Sequence, residues 1–148
     1  MKIFVLILLG LFSTTAIDNT YVNAPIDVYN LEGVWDLKHQ LLYDHNQVSD
    51  TIFNTNGYRQ VKIYSKGKVM WTRFDPADNN EWFGYGSYEI KGNMLEERLE
   101  YASGPMMKIV DTTQVFKFEL VMDKKSYLQI AVDEHGQYSQ AENYIRIE

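Results

Sequence analysis

Gly33-Val34-Trp35-Asp36-Leu37-Lys38-His39-Gln40-Leu41-Leu42-Tyr43 alternates side chains in a way that only a pleated strand can use. Successive residues of a strand point to opposite faces, so Trp35, Leu37, His39, Leu41 and Tyr43 share one face and Asp36, Lys38 and Gln40 the other. The odd-numbered set is the inward one. Working outward, seven more runs have strand character, at 58–64, 68–74, 83–90, 94–102, 113–122, 126–132 and 137–147. Ser65-Lys66-Gly67, Lys91-Gly92-Asn93, Asp123-Lys124-Lys125 and Glu134-His135-Gly136 separate several of them as tight hairpin turns, which makes neighbours in sequence antiparallel neighbours in space. Longer connections at 44–57, 75–82 and 103–112 then gather at one end. A meander of this kind hides its edges by closing on itself, so the expected fold is all-β, an eight-stranded antiparallel up-and-down barrel.

Composition agrees. The chain has 148 residues, enough for one domain, with 11 Tyr and 7 Phe to cover pleated, half-buried surfaces. The formal charge of -6 excludes a partner held by neutralised phosphates, so nucleic acid is not expected. There is no cysteine, and the barrel must be stable without disulfides.

The first sixteen residues read as an export signal. Lys2 supplies the positive start, 3–12 an apolar stretch too short to span a bilayer, and Thr14 and Ala16 the small residues that a signal peptidase reads. The expected organisation is a signal peptide at 1–16 cleaved after Ala16, an N-terminal arm at 17–30 and a barrel domain at 31–148, in a secreted or periplasmic protein. No other segment has the length and hydropathy of a membrane span.

The triplet Gly33-x-Trp35 at the start of the first strand resembles the opening of the lipocalins and the wider calycin group. Met70-Trp71-Thr72-Arg73-Phe74-Asp75-Pro76 followed by Gly84-x-Gly86-x-Tyr88, with the closing Tyr144-Ile145-Arg146-Ile147-Glu148, is similar to bacterial lipocalin-like domains, and the resemblance covers 31–148. It implies that Gly33, Trp35 and Arg146 are structural, the arginine lying over the indole at the barrel floor. It also implies a small hydrophobic or amphipathic ligand in the cavity. Animal lipocalins usually carry a disulfide, and its absence here points to the bacterial branch.

Strand parity names the candidate lining. Leu95, Glu97, Leu99 and Tyr101 oppose Glu96, Arg98 and Glu100, and Phe116, Phe118, Leu120 and Met122 oppose Lys117 and Glu119. Tyr88 shares a side with Gly84 and Gly86, whereas for 68–74 both faces suit the interior. The candidate ligand-binding residues are His39, Trp71, Arg73, Tyr88, Glu97, Tyr101, Phe116 and Phe118. An interior Glu97 must be paired, hydrogen-bonded or neutral, with His39 or Arg73 as available companions.

No nucleophile elbow, cysteine or dinucleotide loop supports catalysis by those routes. The three histidines lack metal-binding spacing, so neither metal nor cofactor is expected. Two rival functions stay open beside ligand binding. One is a barrel isomerase or cyclase using Glu97 and His39 as an interior acid–base pair. The other is a barrel filled by its own aromatic side chains that acts through its surface.

Overall fold

Positive φ angles at Lys66 and Gly67 make a two-residue turn, and the strands on either side pair from Ser65 with Lys68 to Arg59 with Phe74. Gly92 plays the same part where Lys91 pairs with Met94. A computed structural model describes residues 30–148, so the expected signal peptide and all but the last residue of the arm lie outside the described residues. The strands are β1 Gly33–Asp44, β2 Gln47–Phe53, β3 Arg59–Ser65, β4 Lys68–Phe74, β5 Trp82–Lys91, β6 Met94–Ala102, β7 Phe116–Met122, β8 Ser126–Val132 and β9 Tyr138–Arg146. A short helix, α1 Gly104–Val110, follows β6. Strands β3 to β9 pair in order, β1 pairs with β3, and β1 also pairs with β9. The result is a closed eight-stranded antiparallel barrel with β2 as an additional strand.

Strand β2 and helix α1 occupy stretches expected to be plain connections. His45 and Asn46, both at positive φ, form the two-residue turn that starts β2, and neither is the glycine that advertises such a turn. β2 and β3 lie along the same edge of β1, β3 opposite 33–36 and β2 opposite 39–44. At the junction Asn54 Nδ2 donates to the Leu37 carbonyl oxygen at 2.6 Å, which satisfies an acceptor that neither strand reaches.

The floor is built as the Gly-x-Trp opening implies. Trp35 is fully buried, its Nε1 donates to the Leu31 carbonyl at 2.7 Å, and its ring meets Tyr127 edge to face at 4.8 Å. The Arg146 guanidinium lies over the indole at 4.1 Å and donates to the carbonyls of Glu32 and Asn30 at 2.6 and 2.7 Å. Gly33 sits at φ +133°, and a Cβ there would come within 2.5 Å of Arg146 Nη1. The motif is glycine because its φ lies where other residues are strained and because the Glu148 carbonyl oxygen, also 2.5 Å from such a Cβ, is backbone that cannot move aside.

Two of the four register shifts in the ladders of the described residues reverse the alternation at candidate site residues. In the β1–β9 ladder Leu37 faces Tyr144 and His39 faces Asn143, leaving Lys38 as an extra residue. In the β5–β6 ladder Gly86 faces Leu99 and Tyr85 faces Tyr101, leaving Glu100 extra. The second bulge forces the chain against Gly86, where a Cβ would stand 2.0 Å from the Arg98 carbonyl oxygen. Each extra residue turns the rest of its strand over.

β3 and β4 resolve the ambiguity at 68–74. Val69 and Trp71 are buried, whereas Met70 and Phe74 are exposed. Their β3 partners Tyr64 and Lys62 are buried too, and Ile63 faces out. β3 is therefore polar on the inside: Gln60 and Lys62 are 2% and 3% exposed.

Candidate ligand-binding cavity

A cavity of about 360 Å³ occupies the half of the barrel above the floor. Trp71 of β4, Leu99 of β6, and Phe116 and Phe118 of β7 form its apolar walls. Met106 and Ile109, three residues apart and so on one face of α1, roof it. β6 and β7 pair only through 94–97 with 116–119, and α1, which follows β6, packs against β5 and β6. Arg73, Trp82 and the exposed Gln140 lie at the rim.

Below the walls runs a polar network. Lys62 Nζ lies 2.9 and 3.1 Å from the two Glu97 carboxylate oxygens and donates to Gln129 Oε1 at 2.9 Å. The Tyr64 hydroxyl donates to Glu97 Oε1 at 2.6 Å. Both ionic side chains are 4% exposed, so the charges are desolvated, and the geometry compensates by giving each one several partners. Gln129 Nε2 then reaches Glu142 at 3.4 Å, and Glu142 also accepts from the Tyr144 hydroxyl at 2.8 Å and from Gln60 Nε2 at 3.1 Å. Gln60 Oε1 accepts from Arg73 Nε at 2.7 Å, which carries the chain of bonds to the rim. Burial pushes the phenols of Tyr64, Tyr127 and Tyr144 well above their ordinary pKa, with Glu97 adding to the effect on Tyr64 and Glu142 on Tyr144. All three stay protonated at neutral pH, Tyr64 and Tyr144 donating to Glu97 and Glu142 while the Tyr127 hydroxyl has no partner among the described residues.

Five sequence candidates meet at this cavity: Trp71, Arg73, Glu97, Phe116 and Phe118. Tyr88 lies lower, packed edge to face on Tyr64 at 4.9 Å. His39 and Tyr101 do not line it. Gln40 pairs with Glu142, which faces the cavity, so the bulge at Lys38 places His39 on the opposite face, where its ring stands 5.9 Å from Phe53 of β2. The bulge at Glu100 does the same to Tyr101, which is 56% exposed and packed on Tyr85 at 5.3 Å. The expected interior position of His39 and Tyr101 is thus corrected, and no Glu97–His39 pair forms. Glu97 is instead held by Lys62, which sequence reading missed together with Gln60, Gln129 and Glu142. The signal was present in Gln60-Val61-Lys62-Ile63-Tyr64, whose alternation reads inside out because its apolar face is the exposed one.

Neither a protein-family model nor a curated protein matches the chain. Solved structures do share its fold. A lipocalin-like protein from Bacteroides uniformis superposes with a TM-score of 0.52 at 14% identity, covering 79% of this chain and 98% of that one. An uncharacterized protein from Bacteroides eggerthii gives a TM-score of 0.50 at 12% identity, covering 79% and 99%. The fold is lipocalin-like. No helix among the described residues is long and apolar enough to cross a membrane.

Proposed function

We propose that this protein binds a small hydrophobic or amphipathic molecule in the barrel cavity. The observation that carries the reading is the 360 Å³ left between aromatic walls, within the roughly 300–1,000 Å³ usual for small-molecule sites. A barrel filled by its own side chains would not leave that volume. An enzyme built on Glu97 and His39 would need the two side chains together, and they lie on opposite faces of the barrel wall. Binding would bury the ligand's apolar body against Trp71, Leu99, Phe116 and Phe118, with the polar groups below and at the rim fixing its orientation.

The uncharged dye N-phenyl-1-naphthylamine tests this directly. Saturable fluorescence enhancement is expected with the wild-type protein, and Met106→Trp, which lowers the roof, should weaken it by about tenfold or ~1.4 kcal/mol. Absence of saturable binding, or an unaltered affinity in Met106→Trp, would sink the reading.

We propose further that the protein works outside the cytoplasm. Lys2, the apolar stretch 3–12 and the small residues Thr14 and Ala16 support export. N-terminal sequencing of protein recovered from the periplasm or medium of a bacterial host should begin at Ile17. Protein retained in the cytoplasm with Met1 in place would refute it.

A further inference from the structure

We propose that the ligand is uncharged and presents a carbonyl-type oxygen to Arg73 at the rim of the cavity. The proposal rests on the cavity-binding reading and deepens it.

The first argument is charge. Four ionisable side chains line the cavity, and they cancel formally: Lys62 and Arg73 against Glu97 and Glu142. They are also matched in space, Lys62 with Glu97 at 2.9 Å and Arg73 with Glu142 at 4.0 Å. A ligand carrying a charge into this desolvated space would leave it unbalanced, a cost that an uncharged ligand avoids. Asp78, in the connection before β5, has its carboxyl held below its ordinary pKa chiefly by the Trp82 indole N–H, then by Asn80, with Arg73 contributing. Arg73 therefore already acts on two carboxylates, Glu142 and Asp78, and an anionic headgroup would add a third.

The second argument is the supply of hydrogen bonds. Lys62 spends its donors on Glu97 and Gln129, and Glu97 accepts from Lys62 and Tyr64. Both Glu142 oxygens accept as well, from Gln60 and from Tyr144. Arg73 differs. Among the described residues it donates only through Nε, to Gln60, and the 4.0 Å between its Nη2 and Glu142 is beyond hydrogen-bond reach. Its guanidinium is held beside two rings, 5.7 Å from Trp82 and 6.0 Å from Tyr58, so both Nη groups are positioned and unspent. A guanidinium at the rim, 31% exposed and with no protein acceptor on its Nη groups, favours a ligand with an apolar, preferably planar body and one oxygen acceptor.

A matched set separates the possibilities: naphthalene bearing an acetyl, carboxylate, aminomethyl or ethyl group at the same position, each displacing N-phenyl-1-naphthylamine. The acetyl compound should bind about tenfold or more tightly than the carboxylate and the ammonium, and several-fold more tightly than the ethyl compound. Arg73→Leu should abolish the advantage of acetyl over ethyl. A carboxylate that binds as well as the ketone, or an acetyl preference that survives Arg73→Leu, overturns the proposal while leaving the cavity reading intact. Failure of the dye itself to bind overturns both.

Discussion

Lys62→Met alone should cost about 3–5 kcal/mol of unfolding free energy, and Glu97→Leu alone a comparable amount, because each strands one partner of a buried ion pair. The pair joined to Gln129 and Tyr64 is 4% exposed on both side chains, so water cannot restore what either substitution removes. The double variant Lys62→Met with Glu97→Leu should recover much of the loss, since removing both charges also removes both desolvation penalties. Urea unfolding of the four proteins gives the cycle. Additive losses would mean that the two side chains do not act on each other and would contradict the arrangement described.

Trp35→Ala should destabilise the barrel by about 3–5 kcal/mol through the space it leaves at the floor. The indole is fully buried against Tyr127 and lies beneath Arg146, so no neighbour is free to fill the gap. Trp35→Phe keeps a ring there and loses the hydrogen bond to the Leu31 carbonyl, so its cost should fall nearer 1–3 kcal/mol. Neither variant should abolish dye binding at a temperature where it is folded, because Trp35 does not line the cavity. Equal stabilities for Trp35→Ala and wild type, measured by urea unfolding, would remove the floor from the account.

Local chemistry made the barrel legible, and local chemistry also hid half of the site. Lys66-Gly67 and Gly92 announce their turns, and Trp35, Leu37, Leu95, Leu99 and Phe118 face inward as alternation requires. His45-Asn46 turns just as tightly without a glycine, which is why β2 went unseen. The same alternation that holds elsewhere points His39 and Tyr101 inward, and each lies just beyond a bulged residue that reverses it. A bulge depends on what two strands do together and leaves little trace in either alone. Lys62 illustrates a different limit. A buried lysine is stable only because Glu97, Gln129 and Tyr64 converge on it from three other positions in the chain, and no single stretch of sequence displays that convergence.

The pairing of β1 with β9 carries a consequence for how the molecule comes into being. Trp35 and Arg146 sit opposite one another in the ladder although nearly the whole described chain separates them. The first strand is made long before its second neighbour, and its edge stays unpaired until β9 is available. Such distant contacts pay their loop-closure entropy before they return any stability, which places folding in the slow, millisecond-to-second range typical of β topologies. The residues that lock the floor act as a clasp that closes only once β9 is in place. A nascent chain cut short before β9 would have the strands of a barrel and no means of closing it.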